Sequence, residues 1–126
     1  MIIEKQVQNN IFLLGYFENV FPLIRNSLAV ISTSLWEDPG AVMIESAYCN
    51  KLVISSNCPN GPEEFLNCGE SGYLFQNNDP VDLENKINHF LNENENYKFK
   101  KAVISKKNSK MYSLFRHYQK LNKILL

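Results

Sequence analysis

The chain has 126 residues, 44% of them apolar, with 13 basic and 13 acidic side chains. That length fits one domain with a modest core. The balanced total gives no net-charge footprint for nucleic acid or an anionic membrane. The longest apolar run near the N-terminus, Ile11 to Leu14, is too short for a signal sequence or a membrane span.

Met1–Asn10 reads as the tail of a helix running into Ile11. Four short, nearly continuous apolar runs then read as strands: Ile11–Leu14, Leu28–Ser32, Leu52–Ser55 and Tyr73–Phe75. Continuous apolar character is the pattern of parallel strands covered on both faces. Helical segments separate them. Phe21–Asn26 is the shortest link. Pro39–Cys49 carries Met43, Ile44, Ala47 and Tyr48 on one stripe, with Asn50 as a left-handed stop. Pro62–Asn67 follows an Asn60-Gly61 turn.

Beyond Phe75 only helices are expected. Asp79 caps Pro80–Asn92, a short segment lies near Tyr97–Ser105, and a last helix spans roughly Ser109–Leu125. Its stripe is Met111, Leu114, Phe115, Tyr118, Leu121 and Leu125. The alternation predicts an α/β domain with a parallel sheet of about four strands flanked by helices and a helical C-terminus. A doubly wound nucleotide-binding domain opens with a strand, a glycine-rich turn and a helix. The five glycines here are widely spread, and no such turn occurs. The expectation is an incomplete Rossmann-like domain whose sheet starts in its middle.

Cys49, Cys58 and Cys68 have no C-x-x-C spacing, and His89 and His117 fall in different helical segments. No metal constellation is visible, so the cysteines are expected to be reduced and packed in or near the core.

The segment from Ser34 to Glu45 holds the candidate chemistry. It places Glu37 just before a helix and Glu45 on that helix's second turn, with Asp38 as N-cap and Pro39 at the first helical position. Helical side chains lean toward the N-terminus, so Glu45 reaches back toward the mouth that Glu37 overlooks. Unpaired amides and the positive end of the helix dipole suit a phosphate there. Two carboxylates beside such a site can grip the hydroxyls of a sugar and a ribose. The spacing alone is weak, since ten glutamates in 126 residues give roughly one such pair by chance. Its weight comes from the strand before the pair, the Pro-Gly turn and the strand after the helix.

Ile11-Phe-Leu-Leu-Gly15, the Leu28–Ser34 strand, Glu37 to Glu45, Val53-Ile54-Ser55 and Gly72-Tyr-Leu-Phe75 stand in a familiar order. With Asn57-Cys-Pro-Asn-Gly-Pro-Glu-Glu64 in support, residues 8 to 92 resemble the C-terminal, donor-binding half of retaining GT-B glycosyltransferases. The subset is the bacterial one that builds surface polysaccharides. The resemblance implies that Glu37 contacts the donor sugar near the reacting carbon and that Glu45 holds the ribose hydroxyls. It also implies that amides among Gly40, Ala41 and Val42 meet sugar hydroxyls and the diphosphate. The donor is then a nucleotide-diphosphate sugar, with no cofactor and no metal. The expected setting is the cytoplasm, peripheral at the inner face of the membrane in the complete enzyme, without nucleic acid.

Three departures from the family pattern stand out. Pro39 removes one possible backbone donor, and Asp38 replaces a common glycine. The family's upstream arginine and lysine, which neutralise the diphosphate, have no counterpart before Ile11. Losing one preorganised donor of that kind costs about 2.7–4 kcal/mol of barrier. The acceptor site belongs to an N-terminal domain, supplied as a missing part or a partner chain. Alone, the chain is expected to be a poor catalyst or none. Two other readings are a non-catalytic nucleotide-sugar-binding remnant or interaction module and an unrelated small α/β signalling domain. The lack of an acidic cluster after an N-terminal strand counts against the latter. Trp36 is a candidate pocket wall, Glu63 and Glu64 suit a helix start, and His117 suits a surface.

Overall fold

The computed structural model describes residues 7–38 and 40–125. In chain order these form α1 (Phe21–Asn26), β1 (Ala29–Ser32), α2 (Ala41–Tyr48), β2 (Leu52–Ser56), α3 (Pro62–Phe65), β3 (Tyr73–Phe75), α4 (Pro80–Asn92), α5 (Glu95–Ser109) and α6 (Leu114–Leu125). The strands pair in parallel in the order β1-β2-β3, with Ala29 opposite Leu52 and Ile54 opposite Tyr73. This is the expected α/β class, built on three strands.

Every residue of β2 is buried. Successive side chains of a strand point to opposite faces, so burial of the whole run needs cover on both. On one face Val53 joins Met43, Ala47, Phe65 and Leu66 from α2, α3 and the turn after α3. On the other, Leu52 and Ile54 join Tyr73, Phe75 and Phe90, with Leu83 and Ile87 of α4 and Ala102 of α5 around them. Each valine, leucine, isoleucine, phenylalanine or methionine fully buried in this way contributes about 1.5–3 kcal/mol. α5 ties the two layers together. Its Lys106 Nζ donates to Asn50 Oδ1 at 2.8 Å, and its Asn108 Nδ2 donates to the Phe65 carbonyl at 2.9 Å.

Several boundaries differ from the sequence expectation. Ile11–Leu14 is not a strand: it is exposed throughout and pairs with nothing in the sheet, which ends at β1. Apolar character makes a strand possible, but only a neighbouring strand makes it one. The expectation of a helix tail at the front falls partly on residues 1–6, outside the described residues. Residues 8–10 form a turn in which the Asn10 and Ile11 amides donate to the Val7 carbonyl. Helix α5 is longer than Tyr97–Ser105 because capping, not an apolar stripe, defines it. Asn94 Oδ1 accepts from the Asn96 amide at 2.8 Å, and lysines occupy the last turn. The expected last helix is interrupted. Lys110–Tyr112 is a 3-10 turn and Ser113 is extended, so α6 begins at Leu114. Asp79 caps α4 as expected, its Oδ1 accepting from the Val81 and Asp82 amides at 3.0 Å. Asn50 takes the left-handed conformation at φ 58°. The three cysteines are free, but only Cys58 is buried; Cys68 is exposed at φ 52° in the turn after α3.

Tyr73 anchors the end of α4. Its hydroxyl donates to Glu93 Oε2 at 2.5 Å, and its ring meets Phe90 edge to face at 5.7 Å. Burial first, then the Glu93 carboxylate, push its phenol well above the usual value of 10. A raised folded pKa means that this contribution to stability is whole below about pH 10 and is lost as pH rises above it. Tyr73→Phe should cost about 1 kcal/mol near neutral pH. It should also flatten the fall in stability above pH 10, leaving the part due to Tyr112, which burial likewise raises. Urea midpoints on both sides of pH 10 check both effects.

Candidate functional site

The site is assembled at the carboxyl ends of the parallel strands, where the loops leaving β1, β2 and β3 meet. The loop from Thr33 to Gly40 is held by polar atoms on all sides. Ser56 Oγ, at the end of β2, donates to the Ser34 carbonyl at 2.5 Å. The Glu37 amide donates to the Pro59 carbonyl at 3.2 Å. Asn77 Nδ2, beyond β3, donates to the Leu35 carbonyl at 3.3 Å. Sheet pairing thus carries over into the loop, because the tethers come from the ends of different strands.

Glu37 is half-buried. Its Oε1 accepts from Ser32 Oγ at 3.3 Å, and Ser32 Oγ also lies 3.3 Å from Ser34 Oγ. On its other side stands Gly40, where an added Cβ would lie 3.5 Å from Glu37 Oε2 and would overlap Met43 Cε. Gly40 is buried and left-handed at φ 83°, ψ 65°, and it is the residue that precedes α2. Only glycine adopts that conformation without strain in so close a space.

The expected start of α2 is therefore corrected. The helix begins at Ala41, and its N-cap is Gly40, not Asp38. Asp38 is exposed and two residues too early to reach the first-turn amides. The assignment of Pro39 to the first helical position lies outside the described residues. Among the described residues no side chain caps α2, although Met43 N donates to the Gly40 carbonyl at 3.0 Å. Ala41 and Val42 thus stand at a helix mouth without a side-chain acceptor, beside the Glu37 carboxylate. Glu45 is half-buried one turn further in, four residues after Ala41 and on the same helical face. The five candidate residues Glu37, Gly40, Ala41, Val42 and Glu45 thus belong to one loop and one helix mouth. Trp36, 58% exposed, precedes Glu37 in this loop.

Sequence reasoning missed Ser32, Ser34, Ser56 and Asn77, which hold the loop in place. The signal was present: Ile31-Ser-Thr-Ser34 and Ile54-Ser-Ser56 put polar residues at the carboxyl ends of apolar strands. Two concavities, about 870 and 740 Å³, lie elsewhere. The larger sits at the opposite ends of β1 and β2, against Leu28, Leu52 and Phe99. The smaller lies between α3 and α6. The helix mouth is instead an open surface.

A parallel sheet with helices on both faces and a polar loop cluster at its carboxyl ends is the architecture of doubly wound ligand-binding domains. Known proteins make this specific: residues 1–111 match the family model "Glycosyl transferases group 1", and the chain belongs to that family. A poly(ribitol-phosphate) alpha-N-acetylglucosaminyltransferase of Staphylococcus aureus is 32% identical over 92 residues, covering 73% of this chain and 19% of that protein. The structure of a TarM point variant from S. aureus, in complex with fondaparinux, alpha-GlcNAc-glycerol and UDP, superposes with a TM-score of 0.82 at 27% identity. That match covers 98% of this chain and 24% of TarM. Anabaena HepE in complex with UDP shares the fold, with a TM-score of 0.87 at 23% identity over 98% of this chain and 34% of HepE. These neighbours identify the fold as the Rossmann-like C-terminal domain of GT-B glycosyltransferases. The chain spans about a fifth of the length of the curated S. aureus relative.

Proposed function

We propose that this chain is the donor-binding part of a retaining glycosyltransferase that uses a nucleotide-diphosphate sugar in polysaccharide or glycoconjugate synthesis. The observation that carries the reading is the uncapped mouth of α2, with Glu37 beside it and Glu45 one turn inside. Anions bind where helix amides lack partners and the dipole is positive. The withdrawal of Asp38 from the cap strengthens the reading, since the Ala41 and Val42 amides are left to a ligand.

Each residue has a role in this reading. Glu45 accepts the ribose hydroxyls. Glu37, steadied by Ser32 and backed by Gly40, accepts hydroxyls of the donor sugar near the reacting carbon. The amides of Gly40, Ala41 and Val42 meet the sugar and the diphosphate. The leaving diphosphate departs and the acceptor attacks the same face of the sugar, with no metal at the diphosphate. Cations that neutralise the leaving group belong to the family's upstream strand and loop of this same domain, and the acceptor site to an N-terminal domain or partner chain. Without them the chain binds nucleoside diphosphates weakly and turns over little donor. The setting is cytoplasmic.

Calorimetric titration with UDP and with GDP tests this. Weak binding of one of them is expected, lowered at least about tenfold by Glu45→Ala, which is about 1.4 kcal/mol. Glu37→Ala should affect UDP-sugar or GDP-sugar binding more than binding of the bare diphosphate. Binding that is unchanged in Glu45→Ala would remove the assignment. A sub-micromolar donor affinity of the chain by itself would show that the upstream cations contribute little to binding.

A further inference from the structure

A buried hydroxyl needs a hydrogen-bond partner, and for serine the nearby main chain is the usual one. Seven serines are buried among the described residues. Five of them, Ser46, Ser55, Ser56, Ser71 and Ser109, donate to backbone carbonyls. Ser105 has no partner among the described residues. Ser32 alone of the seven donates to a carboxylate, Oε1 of Glu37 at 3.3 Å.

The proton count gives this contact a direction. A serine hydroxyl has one proton to give, and a carboxylate has none. Ser32 gives its proton to Glu37, so Ser34 is the donor across the 3.3 Å contact between the two hydroxyls. The relay therefore runs from Ser34 to Ser32 to Glu37. Both of its supports are fixed by the sheet. Ser32 is the last residue of β1 and lies opposite Ser55 of β2. The Ser34 carbonyl is held by Ser56 Oγ, at the end of β2. Glu37 itself stands on a loop, where a long side chain keeps its rotamer freedom unless something holds it. Here Oε1 is held from the sheet, and Oε2 is left on the side of Gly40, at the mouth of α2. Ser34 Oγ, with its proton engaged, has only lone pairs left to offer.

We propose that Ser32 and Ser34 are positioning residues that aim Glu37, so that Oε2 receives a hydrogen bond from a hydroxyl of the donor sugar. The inference rests on the donor-site reading and names what holds its sugar-reading group in place. A carboxylate fixed on a strand end is a more exact reader than one free on a loop. Because Glu37 and Ser34 present lone pairs and no proton, the sugar group that meets them must itself be a donor. Sites built to receive a hydroxyl discriminate strongly against analogues that lack it.

Titration of the chain with UDP, UDP-glucose and UDP-N-acetylglucosamine, and with GDP and GDP-mannose, tests it. The readout is the ratio of dissociation constants for bare nucleotide and sugar donor, which isolates what the sugar adds. The sugar should tighten binding at least about fivefold, and Ser32→Ala should remove most of that gain. Binding of the bare nucleotide should change by less than about twofold. Ser32→Thr, which keeps the hydroxyl on a residue suited to a strand, should restore the gain. Adding Ser32→Ala to Glu37→Ala should change nothing further, since the serine acts through the carboxylate. Among analogues of the bound donor with one sugar hydroxyl replaced by fluorine, one should lose the gain in the parent and lose nothing more in Glu37→Ala. Thermal unfolding sets a temperature at which every variant is folded. A gain that survives Ser32→Ala would overturn the proposal, as would an equal loss for bare nucleotide and sugar donor. So would a further loss from Ser32→Ala in the Glu37→Ala background, a full gain with every fluorinated analogue, or no gain from any sugar in the parent. In each of these cases the parent still binds bare nucleotide in a Glu45-dependent way, and the donor-site reading stands. If the parent binds neither UDP nor GDP, both readings fail together.

Discussion

Phe65→Ala is expected to lower the unfolding free energy by about 3–5 kcal/mol, more than any other substitution proposed for this chain. Phe65 is 2% exposed and sits where α2, the sheet, α3 and α5 converge, among Met43, Ala47, Val53 and Leu66. Its ring also meets Tyr112 at 5.7 Å. Its backbone adds to the loss, because the carbonyl accepts from Ser71 Oγ at 3.2 Å and from Asn108 Nδ2 at 2.9 Å. A cavity there loosens the grip of α5 on the α3 turn as well as the core. Domains of this size are stable by about 5–15 kcal/mol, and one that leaves so much apolar surface exposed belongs at the low end. Urea unfolding should therefore show a midpoint near zero denaturant for Phe65→Ala, with Phe65→Leu losing less than half as much. A midpoint for the alanine variant within a few tenths molar of the parent would mean that the core lies elsewhere.

Gly40→Ala is expected to cost about 2–3 kcal/mol and to weaken nucleotide binding at the same time. The left-handed backbone at φ 83° is strained for any side chain. The new Cβ would also overlap Met43 Cε, in a core where Met43 is completely buried and has nowhere to go. Relief must come from shifting Gly40 itself, which moves the first amides of α2 relative to Glu37. A paired measurement separates the two consequences. Thermal unfolding reports the strain, and nucleotide titration well below the midpoint reports the displaced mouth. Met43→Ala combined with Gly40→Ala should regain part of the lost stability if the clash is the cause, relative to the sum of the two single losses.

How much of this was legible in the sequence differs from element to element. β2 and β3 were plain because Leu52–Ser55 and Tyr73–Phe75 are short apolar runs bounded by turn residues, and α4 because Asp79 and Pro80 mark its start. The glutamate pair was plain because a strand, a Pro-Gly turn and a helix bracket it. The exact start of α2 was not. Asp38 and Pro39 are good cap residues by local rules, yet the packing of Gly40 between Glu37 and Met43 makes Gly40 the cap and starts the helix later. The serines that tether the loop were equally hidden, since nothing local to Ser56 says that its hydroxyl meets the Ser34 carbonyl beyond another strand.

By itself, then, the sequence determined the α/β class, the order of most of its strands and helices, and the position of Glu37 before a helix that carries Glu45. These are local matters of period, capping and spacing. Tertiary structure alone decided whether an apolar run has a strand to pair with and whether an amphipathic helix has a core to face; among the described residues Ile11–Leu14 has no such strand and α6 no such core. Strand pairing and burial are properties of two segments at once, and no single segment encodes the presence of the other.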